Sequence, residues 1–162
     1  MSRLDSFIRR LEAQRACLDH AARMIAGLPG NVLEFGLGNG RTYDHLRTRL
    51  QGRDIYVFDR HVAAHPDCVP PTDRLFIGDF LETLPRAVVQ LGPDSALAHL
   101  DVGSGDESAS QALARAMTLL VVRLLKPGAI IVSDQEIDNP ALDVMPLPDG
   151  IEPGRYFLRR RL

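Results

Sequence analysis

Between residues 31 and 133 the chain repeats one alternation: a short apolar run, a break, then an amphipathic stretch. Asn31 to Gly36, Asp54 to Phe58, Arg74 to Ile77, Ser95 to Leu100 and Ala129 to Ser133 read as strands. They are nearly continuous in apolar residues, as strands covered on both faces are. Thr42 to Leu50, Phe80 to Leu91 and residues 107–125 carry a helical period, with Pro85 near the first turns of the second. Residues 61–72, broken by Pro66, Pro70 and Pro71, predict an irregular connection. Ahead of the alternation, Leu4, Phe7, Ile8, Leu11, Leu18, Ala22 and Ile25 recur at spacings of three, four and seven. They predict one amphipathic helix over 3–26, stopped by Gly27-Leu28-Pro29-Gly30. Lys126-Pro127-Gly128 predicts a turn before the fifth strand.

Strands alternating with helices imply βαβ units. The expected fold is therefore α/β: a Rossmann-like, doubly wound, mostly parallel sheet with helices on both faces. After the fifth strand only residues 135–162 remain, 28 in all. A closing helix and two strands need about 35–45 residues. The reading is thus of a shortened C-terminal end, with Arg155–Arg161 as a solvated edge strand and no closing hairpin. Such an uncapped edge invites a second copy, so a homo-oligomer, as a two-fold dimer, is expected.

At 162 residues the chain has the length of a single domain, divided into an N-terminal helix (1–28), a core (30–135) and a short tail (136–162). Nineteen basic against 21 acidic residues give a net charge of −2, which argues against nucleic acid as the main partner. Cys17 and Cys68 fit neither a disulfide scaffold nor a metal-ligand spacing, and a reducing cytoplasm is the simplest compartment. Charges at Arg9, Arg10, Glu12, Arg15 and Asp19 break any secretory signal, and no run approaches the ~18 apolar residues of a membrane span.

In such sheets ligands sit outside the carboxyl ends of the strands. The first strand ends in Glu34-Phe35-Gly36-Leu37-Gly38-Asn39-Gly40, a glycine turn that lets backbone approach a ligand at a helix start. The spacing is G-x-G-x-G rather than the dinucleotide G-x-G-x-x-G, whose last position is here Arg41. No Gly-Lys-Ser/Thr follows, which excludes a P-loop. Glu34 suits a ligand bearing an ammonium or sulfonium charge better than a pyrophosphate. Asp59, followed by Arg60, ends the second strand and can accept both hydroxyls of a ribose. Asp79 and Phe80 follow the third, able to meet an exocyclic amine and flank a flat base, although Asp79 also suits a helix N-cap. Asp101 ends the fourth strand and Asp134-Gln135 the fifth. His99, inside the fourth strand, reads as a core residue or a support to the site.

This ordered set resembles the class I S-adenosylmethionine-dependent methyltransferases over roughly residues 30–135. The resemblance implies that Glu34, Gly36, Gly38, Asn39 and Gly40 face the methionyl part of the cofactor. Asp59, with Arg60 beside it, would hold the ribose, and Asp79 and Phe80 the adenine. Asp101 would border the methionine amine or the transferring methyl. A finer resemblance is to metal-dependent O-methyltransferases, such as catechol O-methyltransferase and those acting on macrolides. It implies that Asp101, Asp134 and Gln135 bind Mg²⁺ and that Asp101 and Asp134 are catalytic. Gln135 departs from the usual asparagine or aspartate there. The implied function is transfer of methyl from S-adenosyl-L-methionine to an oxygen of a small molecule. A protein that binds this cofactor without transferring methyl, and an NAD-dependent oxidoreductase, are the alternatives.

Overall fold

The computed structural model describes residues 2–162 and opens on helix α1 (Arg3–Met24). Ser2 caps it: its hydroxyl accepts from the Asp5 amide at 3.0 Å while the Asp5 carboxylate accepts from the Ser2 amide at 3.0 Å. Then come β1 (Asn31–Phe35), α2 (Arg41–Arg49), β2 (Ile55–Asp59), β3 (Leu75–Ile77), α3 (Phe80–Leu91), β4 (Ser95–Leu100), α4 (Glu107–Val121), β5 (Leu125–Ser133), β6 (Leu142–Met145) and β7 (Phe157–Arg161). The strands form one seven-stranded sheet in the order β3-β2-β1-β4-β5-β7-β6. The first five in that order run parallel, and β7 lies antiparallel to β5. Helices α1 and α2 cover one face, packing Leu18, Ile25 and Leu46 on Val32, Val57 and Ile130. Helices α3 and α4 cover the other, packing Leu84 and Met117 on Phe35, Phe58 and Leu100. No helix among the described residues is long and apolar enough to cross a membrane.

Three expectations need correction. The tail does form a closing hairpin, because residues 134–141 run from β5 to β6 without a helix and so free enough chain for both strands. The terminal strand is therefore interior, between β5 and β6, and not a solvated edge. Arg159 is only 6% exposed, its guanidinium donating to the carbonyls of Ile137 and Leu158 at 2.8 and 3.1 Å. With β7 covering β5, the uncapped edge that motivated a dimer is not there. The second correction is Lys126-Pro127-Gly128, which lies inside β5 as an irregularity in its register with β4. The third concerns α1. Its buried face is Ala13, Gln14, Cys17, Leu18 and Ala21, whereas Leu4, Phe7 and Ile8 in the first turns are 66, 48 and 44% exposed. The close packing comes from small residues four apart, which a search for large apolar side chains passes over.

Candidate active site

The reversal of strand order places β1 beside β4 at the point where an open α/β sheet forms its crevice. A cleft of about 640 Å³ lies there. Gly36 and Gly38 form one side, Asp59, Arg60 and Phe80 one end, and Arg10, Asp101 and residues 102–104 the other. A larger depression of about 860 Å³ runs along the start of α4, but only that helix and its preceding loop line it, away from the strand ends.

The glycines after β1 have separate jobs. A Cβ on Gly36, at φ +90°, would stand 2.3 Å from the Asp101 carbonyl oxygen, so the ends of β1 and β4 approach this closely only with glycine. Gly38, at φ +52°, has open space where a side chain would project, and it lines the cleft. Gly40 is packed against Cys68 and Ala64, outside the cleft, and the neighbouring Asn39 side chain meets Arg41 at the start of α2.

Asp59 is held for recognition. The Gly38 amide donates to one of its oxygens at 3.1 Å and the Arg60 amide to the other at 2.6 Å. Arg60 also lines the cleft and reaches Asp79 at 3.2 Å. Asp79 caps α3 by accepting from the Leu81 amide at 2.9 Å. Phe80 stands edge-on to Phe35 and reaches the cleft, while the Asp79 carboxylate stays outside it.

Glu34 is placed differently from expectation. It is wholly buried beneath the glycine loop and accepts from the Thr42 hydroxyl and from His99 Nδ1, the latter at 2.7 Å. It anchors the loop from below and does not line the cleft. Burial opposes the His99 imidazolium, but the Glu34 carboxylate, its hydrogen bond, and the more distant Asp101 and Asp134 together raise the His99 pKa above its ordinary value.

Asp101 faces the cleft with both oxygens engaged by α1. Arg10 Nη2 donates to one at 2.6 Å, and Gln14 Nε2 donates to the other at 3.0 Å and to the Tyr156 hydroxyl at 2.6 Å. Arg10 and Gln14 are four apart and so share a helix face. Sequence reasoning missed both. The available signal was a glutamine amid Ala13, Cys17 and Leu18 on the buried face. Asp134 stands behind Gly103, accepting from the Val102 and Gly103 amides at 3.2 and 2.8 Å. Burial raises its pKa, Asp101 adds to this, and the two amides oppose it.

These residues do not fit the divalent metal that the finer resemblance implies. All four carboxylate oxygens of Asp101 and Asp134 already accept N–H groups, and the cation against Asp101 is the Arg10 guanidinium. The Gln135 amide nitrogen stands beside the Gly103 backbone, and a Cβ on Gly103 would lie 3.1 Å from it and 2.4 Å from Asp134 Oδ2. Among the described residues no three acidic, histidine or cysteine side chains converge as a cation would require.

A family profile described as S-adenosyl-L-methionine methyltransferase matches residues 1–161. An S-adenosyl-L-methionine methyl transferase from Silicibacter pomeroyi DSS-3, solved by crystallography, is 46% identical with a TM-score of 0.95, covering 100% of this chain and 99% of its own. Human methyltransferase-like protein 13, solved with SAH, shares the fold at 15% identity and a TM-score of 0.63, over 93% of this chain and 82% of its own. So does the methyltransferase MycE of the mycinamycin biosynthetic pathway, solved with Mg, SAH and mycinamycin VI, at 15% identity and a TM-score of 0.59, over 94% of this chain and 48% of its own. No curated protein matches the chain.

Proposed function

The chain belongs to the S-adenosyl-L-methionine methyltransferase family, and from that premise we propose that it transfers methyl to an oxygen of a small molecule, in the cleft between Gly38 and Asp101. The observation that carries the reading is the Asp59 carboxylate, fixed by the Gly38 and Arg60 amides across the cleft from Asp101. One end thus offers a ribose acceptor and the other a carboxylate for a cationic methionyl group.

In the reaction the C–S bond of the sulfonium breaks as a C–O bond forms in line with it, and the acceptor hydroxyl gives up its proton. Positioning supplies much of the rate, so no nucleophile of the protein is required. Asp101 is ion-paired with Arg10, and Asp134, raised by burial and standing behind Gly103 of the cleft wall, is the carboxylate we assign to take the proton. The net charge of −2 and a cleft of about 640 Å³ favour a small acceptor over a nucleic acid. We assign no divalent ion to this step, because the Arg10 guanidinium already stands against Asp101 where the cation would lie.

Asp59→Ala is expected to weaken S-adenosyl-L-methionine binding about tenfold to a hundredfold, the worth of hydrogen bonds to a charged group. Calorimetry on the folded variant checks this, and unchanged affinity removes Asp59 from the site. Asp134→Asn is expected to lose turnover on a hydroxyl-bearing acceptor while keeping cofactor affinity. The wild-type rate is expected to be the same in excess chelator. An acceptor panel read by mass spectrometry, with and without chelator, tests both statements. It also separates transfer from cofactor binding alone.

A further inference from the structure

We propose that the first turns of α1 form the acceptor wall of the site, and that the acceptor they cover is a neutral hydroxyl compound with an apolar body. The proposal rests on the methyltransferase reading above and adds to it a substrate class and the residues that select it. Helices α1 and α2 run side by side in the same direction. His45 and Arg49 of α2 hold Asp19 at 3.0 and 2.8 Å, and Arg53, after α2, donates to the Ile25 carbonyl at 2.8 Å. Arg53 and Ile25 are 28 residues apart, and the same offset puts Arg41, where α2 begins, level with Ala13. The neighbouring Gln14 bonds Asp101 at the end of β4. The nine residues from Arg3 to Leu11 therefore continue past the strand ends for about 14 Å, at 1.5 Å each.

The side of this overhang that looks onto the cleft is apolar. Eleven residues make almost three helical turns and eighteen make five, so Ile8 lies in line with Asp19, and Leu4 and Leu11 with Ala22. Asp19 and Ala22 face Arg49 of α2. Beyond the start of α2 the same side opens over the glycine loop, where Gly36 and Gly38 line the cleft. Phe7 stands one turn before Arg10, which also lines the cleft. Leu4, Phe7 and Ile8 are all exposed, a face that an amphipathic helix ordinarily buries. The cleft itself adds Val102, Ala109 and Leu113, so apolar surface is continuous from its lining to the overhang. The arginine between the patch and the strand ends, Arg10, is already paired with Asp101 at 2.6 Å, so the wall asks for no charge on the acceptor. A molecule seated there buries its apolar body against α1 and turns its hydroxyl toward the strand ends.

The test is calorimetric titration of the full-length protein, saturated with S-adenosylhomocysteine, with phenol, 4-ethylphenol and 4-butylphenol. Wild-type affinity is expected to rise along the series, by up to about fourfold for each methylene. A phenol of similar length ending in a carboxylate, 3-(4-hydroxyphenyl)propionate, is expected to bind about tenfold or more weakly than 4-butylphenol. Phe7→Gln with Ile8→Gln keeps good helix formers at exposed positions. This pair should flatten the series to under about twofold per methylene and leave the affinity for S-adenosylhomocysteine as it was. The wild-type series needs no variant, and Leu4→Gln, at the most exposed of the three positions, repeats the comparison if the double variant does not fold. A flat wild-type series, a series unchanged in the variants, or equal binding of the carboxylate overturns the proposal and leaves the methyltransferase reading standing. A wild-type dimer in light scattering that the double variant converts to a monomer assigns the patch to a second copy and overturns it too. Failure of wild type to bind S-adenosylhomocysteine at all overturns both readings.

Discussion

Gly38→Val is expected to abolish cofactor binding in a chain that still folds. Gly38 sits at φ +52° in the left-handed region, with open space where its Cβ would point, on the wall of the cleft. A β-branched residue is strained there, at about 1–2 kcal/mol. That is small against the ~5–15 kcal/mol of a typical domain. The larger effect is steric, because the valine branches project into the space that the ligand needs. The strain also disturbs the backbone amide that holds Asp59 at 3.1 Å. Both changes act on binding, so an affinity loss above about a hundredfold is expected, some 2.7 kcal/mol or more. Circular dichroism should show native helix content, and calorimetry should show no measurable heat with S-adenosyl-L-methionine. Gly36 makes the contrasting case. A side chain there would strike the Asp101 carbonyl, so Gly36→Val should damage the fold itself. A folded Gly38→Val variant with native affinity shows that the loop only turns the chain.

The second large effect is on stability. His99→Ala is expected to cost about 3–5 kcal/mol, since removing one partner of a buried pair strands the other charge. Glu34 and His99 are both fully buried, and the Thr42 hydroxyl would be the one group left bonded to the carboxylate. Glu34→Gln removes the charge while keeping a hydrogen-bonding group, and should cost less. The pair also makes stability depend on pH. The folded-state pKa of His99 is raised, so its contribution is complete below the unfolded value of about 6.5 and is lost as pH rises through the folded value. Denaturant unfolding from pH 6 to 9 should show this fall in wild type and not in His99→Gln. A pH-independent difference between the two proteins contradicts it.

The cofactor half of the site was legible because strand ends in a parallel sheet announce themselves. Each apolar run carries an acid at or beside its end, and the glycine spacing after β1 separates this turn from a dinucleotide or phosphate loop. What the linear chain concealed were roles set by depth. Glu34 reads as a residue facing the ligand, yet its alignment in register with His99 across β1 and β4 turns it into a buried support. Asp79 reads both as a base contact and as an N-cap, and it is the cap of α3. Arg10 looks like one charge among many on an amphipathic helix. Only the docking of α1 through Ala13, Cys17 and Ala21 brings it to Asp101, 91 residues away in sequence. The arginines of β7 read as solvated, since nothing local reveals that the carbonyls of Ile137 and Leu158 receive Arg159. Counting residues against an average tail ruled out the closing hairpin, because the average includes a helix that this chain omits.

The most direct test of the central claim is a crystal structure of the protein grown with S-adenosylhomocysteine. The expected result is ligand density in the cleft between Gly38 and Asp101, with the ribose hydroxyls on the Asp59 carboxylate. Density elsewhere on the molecule, or an empty cleft at saturating ligand, contradicts the account.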